Sequence, residues 1–307
     1  MGISLQLVNH TDLFHRHSQY EPVIINDFAE ASEEDKDKFN RLIYTKYSAN
    51  DLLSNLPTCV CGEITGERNV GTVCPNCRSV VVAALDQELQ SLVWMRAPKG
   101  VKALINPTVW TMLTEKFRRG GFDIIRWFCD TSYKPQVKTP PVLDAVLALN
   151  FDRGYNNFVD NFYPITDALF NLSVFKKKGV VDPLQILLRE DPERIFTQYL
   201  PLPNRTLLVL EESNVGANGS TYVDPLVPAA VDSIRIMTGI DTPLSTLSLR
   251  SRELRAVKAV AQLAEYHDGF TKTKLAKKEG IPRKNIYGCR PHFVFRAVIS
   301  SLTGAHD

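Results

Sequence analysis

Four cysteines constrain one stretch of this chain more than any other feature does. They are Cys59-Val60-Cys61-Gly62 and, after eleven intervening residues, Cys74-Pro75-Asn76-Cys77. Two close pairs can each grip one side of a tetrahedral ion, which is what a structural zinc site needs. The intervening Gly66 and the Asn69-Val70-Gly71 turn suit a β-ribbon folding back on itself. The competing reading is four thiols that are buried and unrelated, or disulfide-bonded. Two pairs this close together favour one Zn2+ bound by Cys59, Cys61, Cys74 and Cys77. Cys129 and Cys289 have no near partners and read as small hydrophobes.

With 307 residues and 44% hydrophobic content the chain can bury a core, and more than one. The expected fold class is α+β and mainly helical. Residues 1–56 read as an N-terminal, partly helical segment with helix starts at Ser32-Glu-Glu-Asp and Ala49-Asn-Asp. Residues 57–85 read as the zinc ribbon, running into a β-branched strand from Ser79 to Val82. Residues 86–200 read as a helical core, with helices from Pro141 to Leu149, Ile165 to Leu172 and Pro183 to Leu188. Leu200-Pro-Leu-Pro-Asn204 breaks helix and opens an extended segment, Thr206 to Leu210, followed by a polar loop, Glu211 to Thr221; together these define a region 201–224. Apolar stripes then predict paired helices at Pro225 to Met237 and Leu247 to His267, within a region 225–268. That pair is either ordinary core packing or a projecting coiled-coil docking element. Residues 269–307 form the last segment.

The formal net charge of +2 decides little, but its distribution is uneven. Acidic residues crowd Glu30 to Asp37, whereas Lys116 to Arg126, Lys176 to Lys178 and Lys272 to Arg296 are basic. A single basic run is usually a solvated face; three favour a polyanionic partner. The longest apolar run, Val80 to Leu85, is too short to cross a bilayer, and the start shows neither a cleavable apolar segment nor a myristoylation pattern. The expectation is a soluble protein of a reducing compartment, with no membrane partner.

From Pro282 the chain reads P-R-K-N-I-Y-G-C-R-P-H-F-V-F-R-A-V-I, ending at Ile299. This resembles R-x-N-L-x-G-K-R-V-D-x-S-x-R-[ST]-V-I in the largest subunit of multisubunit DNA-dependent RNA polymerases, β′ in bacteria, where it forms switch 2 at the base of the clamp. The cysteine array resembles the same subunit's N-terminal zinc ribbon, C-x-C-G-x11-C-x2-C. Leu200-Pro-Leu-Pro is similar to that family's L-P-V-x-P-P segment before the lid loop, and residues 225–267 occupy the place of the clamp coiled coil. These landmarks follow in family order. Cys289 departs from the family lysine and Pro291-His292 from valine-aspartate, and little room remains between His267 and Pro282 for a rudder loop.

The resemblance implies a clamp subunit that grips template DNA and the RNA–DNA hybrid. Arg283, Lys284, Arg290 and Arg296 are its expected nucleic-acid contacts, the arginines lying against template phosphates. Lys272, Lys274, Lys277 and Lys278 are candidates for an added electrostatic track or for a solvated face. Catalytic residues are expected to be none: the chain reaches Asp307 without the N-A-D-F-D-G-D segment whose aspartates hold catalytic Mg2+. The expectation is a split β′ subunit of the kind encoded by large bacteriophages, an enzyme (nucleotidyltransferase) only as an assembly. Its partners would be β′ C-terminal-like and β-like chains, template DNA, nascent RNA and a promoter-specificity factor on residues 225–268. Its location would be the cytoplasm of a bacterial host, with the virion as a second option. The alternative is a stand-alone zinc-ribbon nucleic-acid-binding transcription regulator. A small metalloenzyme is disfavoured, because four thiolates close the zinc shell.

Overall fold

The computed structural model describes residues 6–17, 23–25, 43, 45–48, 57–82, 93–135, 142–176, 181–204, 207–212, 220–222, 225–238 and 246–288. Helix α1 spans His10–His17, and strands β1 and β2 span Val23–Ile25 and Thr45–Ser48. After the cysteine-rich stretch come β3 (Val93–Arg96), β4 (Leu104–Ile105), α2 (Pro107–Lys116), β5 (Arg118–Arg119), β6 (Phe122–Asp123) and α3 (Ile124–Cys129). Then follow α4 (Leu143–Leu147), α5 (Tyr155–Asp160), α6 (Phe162–Asn171), α7 (Pro183–Glu190), β7 (Phe196–Thr197) and β8 (Tyr199–Pro201). The last elements are β9 (Val209–Glu212), β10 (Ser220–Tyr222), α8 (Val227–Thr238) and α9 (Leu249–Phe270). Helix outweighs strand, and the strands are short, so the class is α+β as the sequence predicts.

Among the described residues the strands form two three-stranded sheets and two two-stranded ribbons. In one sheet β3 lies between β1, which it meets in parallel, and β8, which it meets antiparallel. Trp94 and Met95 of β3 have no exposed surface. Phe14 of α1 stacks on Tyr199 at 3.8 Å and meets Trp94 edge-on at 5.3 Å, so α1 covers this sheet. In the other sheet β9 pairs in parallel with β2 and antiparallel with β10. Its register places Glu211 opposite Thr221 and Glu212 opposite Ser220. Both ends of the polar loop expected at Glu211 to Thr221 are therefore strand, because the pairing continues past the last apolar residue; its middle, 213–219, lies outside the described residues.

Local chemistry starts the helices. Asn106 caps α2 by accepting from Thr108 N at 3.0 Å, with Pro107 in the first turn. Asp182 with Pro183 does the same for α7, and Asp123 caps α3 through Arg126 N. Proline fits there because a first-turn N–H has no helical partner to lose. The helix predicted from Pro141 begins at Leu143, that predicted from Ile165 begins at Phe162, and α7 runs to Glu190. The expected starts at Ser32 and Ala49 lie outside the described residues.

The helical core is aromatic. Phe117 meets Phe170 at 5.0 Å and Phe175 at 5.2 Å, while Phe162 bridges Phe158 and Phe196 at 5.7 and 5.0 Å. Phe117, Phe158 and Phe162 are buried, and each such ring contributes roughly 1.5–3 kcal/mol. Cys129 is buried among these elements, as its reading as a small hydrophobe requires. Val227, Ala230, Val231, Ile234 and Met237 of α8 are buried, and Ser233 Oγ lies 3.8 Å from Met95 Sδ on β3. On α9, Val257, Val260, Leu263 and Ala264 are buried, and Arg252 in its first turn reaches the Lys99 carbonyl. Core packing accounts for the apolar stripes of both helices.

The chain divides into two compact units, Met1–Asp268 and Gly269–Asp307. In the second, the described residues form two wide π-helical turns, Thr271–Leu275 and Pro282–Tyr287. A Cβ at Gly280 would lie 2.5 Å from the Leu275 carbonyl oxygen, so only glycine fits that close approach.

Candidate functional site

The two cysteine pairs sit on two tight turns of similar construction. In the first, Gly62 N donates to Cys59 O at 3.0 Å and Cys59 N donates to Ile64 O at 3.0 Å. In the second, Arg78 N donates to Cys74 O at 2.8 Å and Cys74 N donates to Ser79 O at 2.9 Å. The residue leaving each turn has positive φ, 74° at Gly62 and 58° at Arg78. Glycine meets that requirement freely; Arg78 meets it at a cost in strain. Isolated bridges Thr58↔Thr65, Val73↔Val80 and Thr58↔Val82 close each turn and join the two. The segment Ser79 to Val82 is thus held by single bridges and not by the continuous strand expected there. Gly66 (φ 105°) and Gly71 (φ 83°) make the reversal, with a 3-10 turn, Glu67–Asn69, between them.

This construction brings all four Sγ atoms within 4.8 Å of one another. Cys59 and Cys61 are separated by 3.4 Å and Cys61 and Cys74 by 3.6 Å. A tetrahedron of thiolates at the usual metal–sulfur bond length has edges of about 3.8 Å. Cys59 and Cys74 are buried, and Cys61 and Cys77 are half-buried. The four therefore form a cluster able to hold a metal ion, and they fit such an ion by donor type, number and spacing.

The electrostatics of the cluster call for a cation. Burial pushes the Cys61 thiol up to about 12. Its hydrogen bond with the Ser79 hydroxyl holds Cys77 down at about 5. Burial acts to raise Cys59, but the Ile64 N–H, at 3.3 Å from its Sγ, and the neighbouring thiols outweigh it and leave it below its ordinary value. Cys59 and Cys77, favoured as thiolates, oppose the ionisation of Cys61 between them; a dication at the centre lets all four bind as thiolates.

Two supporting residues escaped the sequence reading. Ser79 Oγ accepts from Val60 N at 2.9 Å and lies 3.0 Å from Cys77 Sγ, so one hydroxyl ties the two turns together. Asn76 Nδ2 donates to Glu63 Oε2 at 2.7 Å, a second tie between the turns. A hydroxyl two residues after the last ligand and an amide inside the C-x-x-C loop were the available signals.

Of the expected nucleic-acid residues, Arg283 and Lys284 stand exposed on the second π-helical turn. Lys284 Nζ lies 3.4 Å from Glu279 Oε2, a pair open to solvent on both sides and worth little. Lys272, Lys277 and Lys278 are exposed as well. Arg290 and Arg296 lie outside the described residues. Among the described residues, no helix is long and apolar enough to cross a membrane.

Neither protein-family models nor the sequences of curated proteins match this chain.

Proposed function

We propose that the chain is an N-terminal β′-like subunit of a multisubunit DNA-directed RNA polymerase, of the split kind encoded by large bacteriophages. One observation supports this reading most: the C-x-C-G and C-x-x-C residues, spaced as in the β′ zinc ribbon, bring their four Sγ atoms within 4.8 Å of one another. We assign zinc to that cluster. Four thiolates complete its coordination and leave no open position, so the ion is structural and cross-links the two turns. The exposed Leu275, Ile281, Ile286 and Tyr287, around Arg283 and Lys284, suit a segment covered by another subunit.

In this reading the subunit forms part of the clamp and grips the template strand and the RNA–DNA hybrid. Arg283, Lys284, Arg290 and Arg296 hold phosphate oxygens; the planar arginine fork spans two of them and positions the strand without reading its sequence. The loop between β9 and β10 is the lid-like element, and the solvent-facing sides of α8 and α9, not their core-packed stripes, are the place for a promoter-specificity factor. In this reading a β′ C-terminal-like partner supplies the aspartates that hold catalytic Mg2+, and a β-like chain completes the enzyme.

Purification of the tagged protein from its native cell tests the assignment. Recovery of the partner chains with magnesium-dependent RNA synthesis is the expected result. Nucleotide incorporation by the isolated chain would refute the split-subunit reading. A monodisperse chain recovered without partners would instead favour a free zinc-ribbon regulator.

A further inference from the structure

The loop after α3 gathers arginines from separate stretches of chain. Asp130 turns the loop by accepting from Ser132 N at 2.8 Å and Tyr133 N at 3.1 Å. Arg153 donates to Trp127 O and to Asp130 O, both at 2.7 Å, with its guanidinium 4.6 Å above the Trp127 ring. Arg250, in the first turn of α9, donates to Thr131 Oγ1 at 3.0 Å. Arg126 lies over the Tyr133 ring at 5.2 Å, and Arg118 lies 3.2 Å from Asp123 Oδ2. The Tyr133 hydroxyl accepts from Asp123 N at 3.2 Å, which links the two ends of the patch.

Two features set this patch apart from a solvated charged face. Its two nearest acids are engaged within the fold: Asp123, 5% exposed, caps α3 and pairs with Arg118, and Asp130, half-buried, holds the loop backbone and lies 3.9 Å from Arg126 Nε. Arg118, Arg126, Lys134 and Arg250 are exposed. Asp152, exposed, and Glu253, half-buried, are the other nearby acids. Burial lowers Arg153, the Asp130 charge acts against that, and the charge of Arg250 adds to the lowering, so Arg153 and Arg250 lie close enough to feel each other. The second feature is that the aromatic faces are already taken. Arg126 covers Tyr133, Phe122 stacks on it at 6.4 Å, and Arg153 covers Trp127. Among the described residues of the patch, no open ring remains on which a base would stack.

We infer that Arg118, Arg126, Lys134 and Arg250, backed by Arg153, form a nucleic-acid contact in the first unit that holds the phosphate backbone and does not read bases. Arginine forks fixed by backbone carbonyls and hydroxyls suit a regularly repeating polyanion. This surface is distinct in the chain from the expected contacts at 283–296, and it does not depend on the polymerase reading.

The test measures binding of the full chain to a mixed-sequence duplex of roughly 20 base pairs by fluorescence anisotropy across salt concentrations. The combined Arg118→Gln, Arg126→Gln and Arg250→Gln variant should lower the log–log salt slope by up to about 2.7, or about 0.9 for each phosphate no longer neutralised, equally for two unrelated sequences. Arg189→Gln, which breaks an ion pair with Asp167 on other helices, should leave the slope unchanged. If the triple variant is unfolded by circular dichroism, Lys134→Gln alone should lower the slope by about 0.9. An unchanged slope in a folded variant overturns the inference. So does polyglutamate binding as tightly as the duplex and abolished by the same substitutions, which would indicate an acidic protein partner. Failure to recover polymerase partners bears on the proposed function and leaves this measurement unaffected.

Discussion

Removing the metal should unfold residues 57–82 and leave the rest of the first unit folded. Among the described residues, that segment's own cluster buries Cys59, Cys74 and Val81, with Cys61, Ile64 and Cys77 packed partly against them; Pro57, at the edge of the segment, is buried as well. Val60, Val73, Val80 and Val82 are 40–60% exposed. One valine and a partly covered isoleucine supply a few kcal/mol of burial, at about 1.5–3 kcal/mol per fully buried side chain. Ordering roughly 25 residues costs about 1–2 kcal/mol each in backbone entropy, an order of magnitude more. Backbone hydrogen bonds recover part of that cost, and an all-thiolate zinc site supplies about 10–16 kcal/mol at neutral pH. Apart from the metal, nothing in the segment is of that size. The rest of the unit has the aromatic core around Phe117, Phe162 and Trp94, which owes nothing to the ion. The assay is hydrogen exchange read peptide by peptide, before and after chelation, with released zinc counted by a chromogenic dye. The expected result is one zinc per chain, loss of protection confined to 57–82, and the same local loss in Cys74→Ser. Protection of 57–82 that survives complete metal removal would refute the reasoning, as would the absence of stoichiometric zinc.

Three further outcomes rest on individual side chains. Tyr155 is wholly buried and its hydroxyl accepts from Ile105 N at 3.0 Å, so Tyr155→Phe strands a buried N–H and should cost about 1–3 kcal/mol in urea denaturation. Burial, then the charge of His267, holds His10 down at about 4 against an ordinary 6.5, so the unfolded chain protonates first. Stability from this group is complete above pH 6.5 and is lost as pH falls towards 4, by up to about 3 kcal/mol, and His10→Gln should flatten that part of a Tm-versus-pH curve. Arg290→Ala or Arg296→Ala should leave assembly intact and make the salt dependence of DNA binding shallower by about 0.9 for each phosphate released; disruption of assembly with an unchanged slope would assign these arginines to a subunit interface.

The parts of this protein legible in its sequence are those set by neighbours along the chain. Cysteine spacing specified the metal cluster, because a C-x-C or C-x-x-C turn forces its two thiols onto one side whatever surrounds it. Pro183 and the apolar stripe of Val227, Val231 and Ile234 located α7 and α8 within two residues, since capping and helical period are local properties. The parallel pairing of Val23 with Val93 was not legible, nor was the extension of β9 and β10 into the polar loop. Strand register depends on partners distant in sequence, and three- or four-residue strands carry too little alternation to announce themselves. Asn106 reads locally as a helix cap, yet it also donates to Val8 O and Arg194 O, tying together three stretches of chain. The arginine patch makes the same distinction most clearly. The sequence determined that Arg118, Arg126, Arg153 and Arg250 are charged. Only the tertiary structure decided that they meet around one loop with Asp123 buried and Asp130 half-buried among them, because an electrostatic surface is set by distances through space, and those depend on how the whole chain packs.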